Sequence, residues 1–184
     1  MKGGMYLRDA CKIVKKYGDA ERELVPGNTE QPKCTERLKE TLNDEIYKNA
    51  LNYRISSYAR CNDEKSIKYA LMNYGPVLAS IKWYDKHEVK DGVLSFDKTS
   101  PFGYHAIMIY GWNEQGWLIQ NSWGKRWGDK GHFIYPYKEP FTEAWSFVDA
   151  TNSDEIKQPK INNILNIVYK VVNGIVNFIK KFFK

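Results

Sequence analysis

Residues 103–124 constrain the fold more than any other stretch of this chain. Gly103-Tyr104-His105-Ala106-Ile107-Met108-Ile109-Tyr110-Gly111-Trp112 places a His at the mouth of an apolar strand. Trp117-Leu118-Ile119-Gln120-Asn121-Ser122-Trp123-Gly124 ends a second strand on an Asn. Joined by a turn at Asn113-Glu114-Gln115-Gly116, the two segments read as antiparallel neighbours, which brings His105 and Asn121 together at one end of the pair. A His ring held by an Asn side-chain oxygen is the base-and-orienter half of a nucleophilic site.

The order of elements around this pair predicts an α+β layout. Tyr6–Gly18 reads as a short amphipathic helix with Leu7, Ala10, Cys11 and Val14 on its apolar stripe and Gly18 as its stop. Asp19–Lys39 is loop-like, punctuated by Pro26-Gly27-Asn28 and Gln31-Pro32, and a further helix is expected within Thr41–Asn52. Tyr53–Arg60 alternates like a strand. Asn62 or Asp63 caps a helix over Glu64–Asn73, whose Ile67, Ala70 and Leu71 share a face. Tyr74-Gly75-Pro76 breaks that helix before a buried strand at Val77–Trp83. A polar excursion containing Gly92 and Pro101 then leads to the two strands described above, and Gly131–Pro136 and Ala144–Val148 supply two more. A helical part followed by five or more antiparallel strands predicts a strand-rich barrel or sandwich.

The end of the chain differs in character. Thr151–Lys160 is a polar linker with Pro159, and apolar residues from Ile161 to Phe183 recur at helical period between Asn and Lys. This predicts a C-terminal amphipathic helix over 161–184, suited either to docking on a partner or to lying on a membrane surface. The net charge of +6 belongs mostly to this tail: residues 151–184 carry six Lys against Asp154 and Glu155, which leaves +2 for the rest. A general nucleic-acid footprint is therefore not expected. No run has the form of a signal peptide, none is apolar enough to span a membrane, and nothing calls for a metal or an organic cofactor. Cys11, Cys34 and Cys61 form an odd set without metal spacing, which points to reduced thiols rather than a disulfide framework.

Two Trp-Gly dipeptides bracket the loop in Asn121-Ser122-Trp123-Gly124-Lys125-Arg126-Trp127-Gly128-Asp129-Lys130-Gly131. Together with His105-Ala106 before an apolar strand and Gly111-Trp112 after it, this run resembles the C-terminal part of papain-like cysteine peptidases. The resemblance covers about residues 3–150. It is strongest over 103–135, good over 62–82 and loose over 19–52. It implies a papain-like fold, with 1–52 as a remnant of the helical domain and 53–150 as the strand-rich domain. It also implies a peptide or protein substrate cleaved through a Cys-His-Asn site. His105 would then be the imidazole that moves the proton, and Asn121 would hold its ring. Trp123 would shield their hydrogen bond from water, and Trp127 would wall the leaving-group side. The Tyr104 carbonyl and the backbone of Gly3-Gly4 would pair with an extended peptide, for which glycine permits close approach. His132 departs from the family pattern and reads as structural.

The nucleophile does not follow the pattern. The family's Gln…Cys-Gly-Ser-Cys-Trp-like run supplies a thiolate at a helix N-terminus, and no such run occurs here. Counting back about 130 residues from His105 falls before Met1. Cys11 lies mid-helix on an apolar stripe, and Cys34 and Cys61 sit in or beside loops, all without the flanking motif. The expectation is an N-terminally incomplete peptidase whose nucleophile comes from a preceding segment or a second chain. The alternative is a non-catalytic module of the same scaffold that binds peptides or serves assembly.

Overall fold

A computed structural model describes residues 5–21, 24 and 43–150. The linker and amphipathic helix expected over 151–184 lie outside the described residues, as do Gly3, Gly4 and Cys34. The chain divides into two compact units, one spanning Tyr58–Phe147 and the other holding the residues up to Ser57 and those from Val148 onward.

In the second of these units, α1 (Leu7–Tyr17) packs on α2 (Asp44–Leu51). The apolar stripe of α1 is visible in its burial, with Leu7 and Cys11 buried, and Tyr17 is a third buried residue beyond the stripe read from sequence. Helix α1 ends where Gly18 adopts a φ of 81° and donates its N–H to the Val14 carbonyl. A Cβ at that position would be driven into the Ala50 carbonyl of α2, so glycine serves both the turn and the close approach. Asn43 caps α2 by accepting from the Ile46 amide at 3.0 Å. Helix α2 falls inside the span expected from sequence and is shorter than it.

The Tyr58–Phe147 unit carries the candidate site. Its helix α3 (Glu64–Asn73) starts on a capping box in which Ser66 N–H donates to Asp63 Oδ1 at 2.7 Å and Asp63 N–H donates to Ser66 Oγ at 3.1 Å. Ile67 and Ala70 are the buried face of α3, which packs on the sheet at β2 and β5. The strands are β1 (Ile55–Arg60), β2 (Val77–Tyr84), β3 (His87–Lys90), β4 (Val93–Phe96), β5 (Phe102–Trp112), β6 (Gly116–Gln120), β7 (His132–Pro136) and β8 (Glu143–Asp149). They form one sheet in the order β1-β8-β2-β5-β6-β7-β4-β3. The strand-rich layout expected as a barrel or sandwich thus takes the form of one ladder with β1 and β3 at its edges.

Two features depart from the sequence reading. The polar excursion after β2 holds a hairpin, β3–β4, turned by Asp91 and Gly92 with φ of 51° and 79°. Two consecutive positive φ values are what a tight two-residue hairpin requires, and Asp-Gly supplies them. In addition, one pairing is parallel rather than antiparallel, Val93 of β4 against Ile134 of β7.

Strand β2 lies at the centre, between β8 and β5. Its near-continuous burial follows from neighbours on both sides, with Val77, Ala79 and Ile81 fully inaccessible. Across it, Ile81 pairs with His105, Ala79 with Ile107 and Val77 with Ile109. The alternation of β5 therefore turns His105, Ile107 and Ile109 into the core and leaves Tyr104 and Ala106 outside.

Candidate active site

His105 and Asn121 meet because β5 and β6 are adjacent and antiparallel. The turn between them is held by Asn113, whose side-chain oxygen accepts from the amides of Gln115 and Gly116 at 2.9 and 3.1 Å. The register runs Trp112↔Trp117 to Met108↔Gln120, with an irregularity between Ile109 and Gly111. Asn121 follows directly after the last paired residue of β6. Its backbone N–H donates to the Gly131 carbonyl at 2.9 Å, which closes the loop that carries both Trp-Gly dipeptides. Within that loop Gly124, Gly128 and Gly131 all have positive φ, and a Cβ on Gly128 would lie 2.7 Å from the His132 carbonyl oxygen.

His105 is 7% exposed and Asn121 6%. His105 Nε2 lies 2.9 Å from Asn121 Oδ1, an oxygen that also accepts from the Ser122 amide at 2.8 Å. Because a carboxamide oxygen only accepts, Nε2 carries the proton and the lone pair of the neutral ring resides on Nδ1. Burial pushes the His105 pKa below its ordinary 6.5, the Asn121 hydrogen bond opposes that shift, and the charge of His87 adds to it. Burial thus disfavours the charged ring, and the Asn121 contact fixes the tautomer of the neutral one, with its basic nitrogen free of Asn121. Asn121 Nδ2 is buried without a partner among the described residues.

Aromatic rings surround this pair. Trp83 of β2, 2% exposed, contacts His105 at 5.0 Å, Trp123 at 4.8 Å, Trp127 at 5.7 Å and Phe133 at 5.9 Å between centroids. Trp123 lies over the His105 ring at 4.8 Å with a 37° tilt and is 39% exposed, so its other side faces solvent. Trp127 meets Trp123 edge-on at 5.1 Å. Sequence reasoning singled out Trp123 and Trp127 but treated Trp83 only as part of a buried strand. Nothing within that strand marked Trp83, which pairs in register with Gly103.

The remaining residues of interest separate cleanly. Tyr104 is 53% exposed, paired with Lys82 and edge-on to Phe102 at 6.0 Å. His132 opens β7, packs edge-on against Tyr110 at 5.3 Å and takes no part in the His105 cluster. Cys11 is 1% exposed in the middle of α1. Cys61 is buried just after β1, with β8 and β2 standing between β1 and β5. No group of three or more His, Cys, Asp or Glu side chains among the described residues has the arrangement to hold a metal ion.

A few helices with a mixed sheet, and an inward His paired with an Asn under a tryptophan, define the class of papain-like cysteine-peptidase scaffolds. The pattern of the papain family cysteine proteases matches residues 2–141, and this chain belongs to that family. The cathepsin B-like cysteine proteinase 3 of Caenorhabditis elegans is 38% identical over 110 residues, covering 55% of this chain and 30% of that protein. The cathepsin B-like cysteine proteinase 1 of Haemonchus contortus is 30% identical over 143 residues, covering 71% of this chain and 42% of that protein. Among solved structures, xylellain, a cysteine protease from Xylella fastidiosa, superimposes with a TM-score of 0.65 at 24% identity, over 80% of this chain and 63% of that one. The proCathepsin B S9 of Trypanosoma congolense gives 0.55 at 19% identity, over 79% and 53%. These structural similarities concern the fold. The chain spans less than half the length of these two relatives.

Proposed function

We propose that this chain supplies the general base and its orienting partner for cysteine-type hydrolysis of peptide bonds, with the thiolate supplied by a segment outside the described residues. The observation that carries the proposal is the buried 2.9 Å contact between His105 Nε2 and Asn121 Oδ1, which leaves Nδ1 as the basic nitrogen. The chemistry follows from that tautomer. Nδ1 takes the thiol proton, and the thiolate attacks the substrate carbonyl carbon. As the carbon–nitrogen bond breaks, Nδ1–H gives its proton to the leaving amine. Nδ1 then accepts a proton from water as it attacks the thioester, and returns that proton to the departing thiolate. Asn121 keeps the ring in register through both halves.

Trp123 acts in this scheme as the cover that keeps water from the His–Asn hydrogen bond, which strengthens it in the drier surroundings. Trp127 stands beside it on the leaving-group side. The Tyr104 carbonyl serves as a main-chain partner for an extended peptide, on the stretch of β5 before its pairing with β6 begins at Met108. The backbone of Gly3-Gly4, outside the described residues, is the other main-chain group that the resemblance to the family offers to an extended peptide.

The test is the product of the complete gene, treated with a thiol-directed peptidyl epoxide and weighed intact. A labelled species heavier than 21.5 kDa, whose peptide hydrolysis disappears in His105→Ala, is the expected result. A product that neither takes the label nor hydrolyses peptides would overturn the proposal. It would favour a papain scaffold that binds peptides without chemistry.

A further inference from the structure

A second imidazole stands at the edge of the same aromatic cluster. His87 opens β3, is exposed, and packs its ring on Trp83 at 4.8 Å, while His105 packs on that indole at 5.0 Å. His87 also comes within 6.4 Å of Trp123. Its Nδ1 lies 3.1 Å from the Tyr84 carbonyl oxygen, so Nδ1 carries a proton in that contact and Nε2 is the atom left to meet a ligand. Opposite His87 in the hairpin is Phe96, so the strand partner offers the ring no charge of its own.

The position matters because of what must lie beside His105. A general acid reaches only an atom within hydrogen-bond distance, so the leaving amine must sit against His105 Nδ1. The residue bearing that amine therefore runs along the open side of the cluster, where Trp123 is half-exposed and His87 is the next polar side chain. Among charged residues, Lys86 adjoins His87 in sequence, and Lys125 and Arg126 lie between Trp123 and Trp127. Asp85 stands two residues before His87, Glu88 is exposed and turned to the other side by the strand alternation, and Asp97 lies 3.8 Å from the Lys86 ammonium. At that proximity the charge of His87 adds to the burial that disfavours protonation of the His105 ring.

We propose that His87 is a specificity-determining residue, whose imidazolium receives the side-chain carboxylate of an Asp or Glu immediately following the scissile bond. The inference rests on the hydrolytic function proposed above. A substrate carboxylate there would do two things at once. It would pair with His87, and it would neutralise the charge that disfavours the protonated His105 needed to expel the amine.

The experiment uses the complete gene product and amidated peptides that differ only by Glu or Gln after the cleaved bond, so that the side chain is the sole carboxylate compared. At pH 5.5 the Glu peptide is expected to be favoured in kcat/KM by about fivefold, the scale of a partly exposed ion pair. His87→Gln should abolish this preference while the Gln peptide is still cleaved. His105-dependent hydrolysis with no Glu preference, or with a preference that survives His87→Gln, would overturn the inference and leave the functional proposal standing. Absence of hydrolysis, or hydrolysis that survives His105→Ala, would sink both. An NMR titration of the 184-residue chain needs no nucleophile: the His105 midpoint should rise in His87→Gln, and an unchanged midpoint would remove His87 from the site.

Discussion

His105 and Asn121 are sixteen residues apart in sequence and joined by a buried hydrogen bond of 2.9 Å, with the Asn oxygen shared by the Ser122 amide. The oxygen is thus fixed from the backbone side before it fixes the ring. Asn121→Ala removes an acceptor from two donors at once. Leaving buried donors unmet costs about 1–3 kcal/mol, so the urea midpoint of the 184-residue chain should fall accordingly. In the complete gene product, loss of ring orientation should lower kcat by about 10–100-fold while KM changes little. A variant with unchanged kcat would show that Asn121 is only a structural residue.

The lowered pKa of His105 gives the fold a definite pH dependence. The unfolded chain takes up this proton near 6.5, whereas the folded chain does so only at lower pH. Between those two values the unfolded state binds more protons, so stability falls as the solution is acidified through that window. Above 6.5 the contribution is fully present and flat. Urea unfolding of wild type and His105→Gln at pH 8, 7, 6 and 5 should therefore show a constant difference at pH 8 and 7 that shrinks as pH falls, with the change confined to pH below about 7. A parallel offset at all four values would contradict the burial argument.

Much of this arrangement was legible in sequence because it rests on local rules. Asp63 as a helix cap, Gly18 as a helix stop and Asn113–Gly116 as a turn each act within a few residues, and the structure places them where the pattern did. The apolar strand with His105 at its mouth was equally readable, whereas the alternation that sends His105 inward was not, because Ala106, Met108 and Tyr110 stand between the buried residues. The hairpin β3–β4 was missed although Asp91-Gly92 is a strong turn signal, because its strands are only four residues each and the edge strand β3 is mostly polar. The roles of Trp83 and His87 were not legible, since both depend on rings brought together from β2, β3, β5 and the 121–131 loop. No periodicity within one segment reports such a meeting.

Trp83 joins stability to the site. Its indole touches His87, Phe96, His105, Trp123, Trp127 and Phe133. Trp83→Ala should cost about 3–5 kcal/mol, since the void cannot be filled from one side alone. Trp83→Phe tests position without removing the core: it should fold with a smaller loss. The shrunken support should let the His105 ring shift, lowering kcat of the complete gene product more than it raises KM. Equal kcat in Trp83→Phe and wild type would confine Trp83 to packing.

Cys61 offers a check on where the nucleophile comes from. It is buried after β1, its amide donates to the Ala144 carbonyl at 2.9 Å, and burial pushes its thiol pKa up while hydrogen bonding with Ser146 pulls the other way. A thiol that resists ionisation is a poor nucleophile, the reverse of what the reaction needs. Cys61 also adjoins a strand three positions from β5 in the sheet, a lateral separation of about 14 Å at ordinary strand spacing. Iodoacetamide should therefore modify Cys61 in the native 184-residue chain at least about tenfold more slowly than a free thiol, with the protection lost in denaturant. Cys61→Ala should leave kcat of the complete gene product within about twofold, at a stability cost of about 1 kcal/mol for the truncated side chain. Loss of peptidyl-epoxide labelling in Cys61→Ala, with the fold intact by circular dichroism, would instead make Cys61 the reactive thiol and require the sheet order to be wrong.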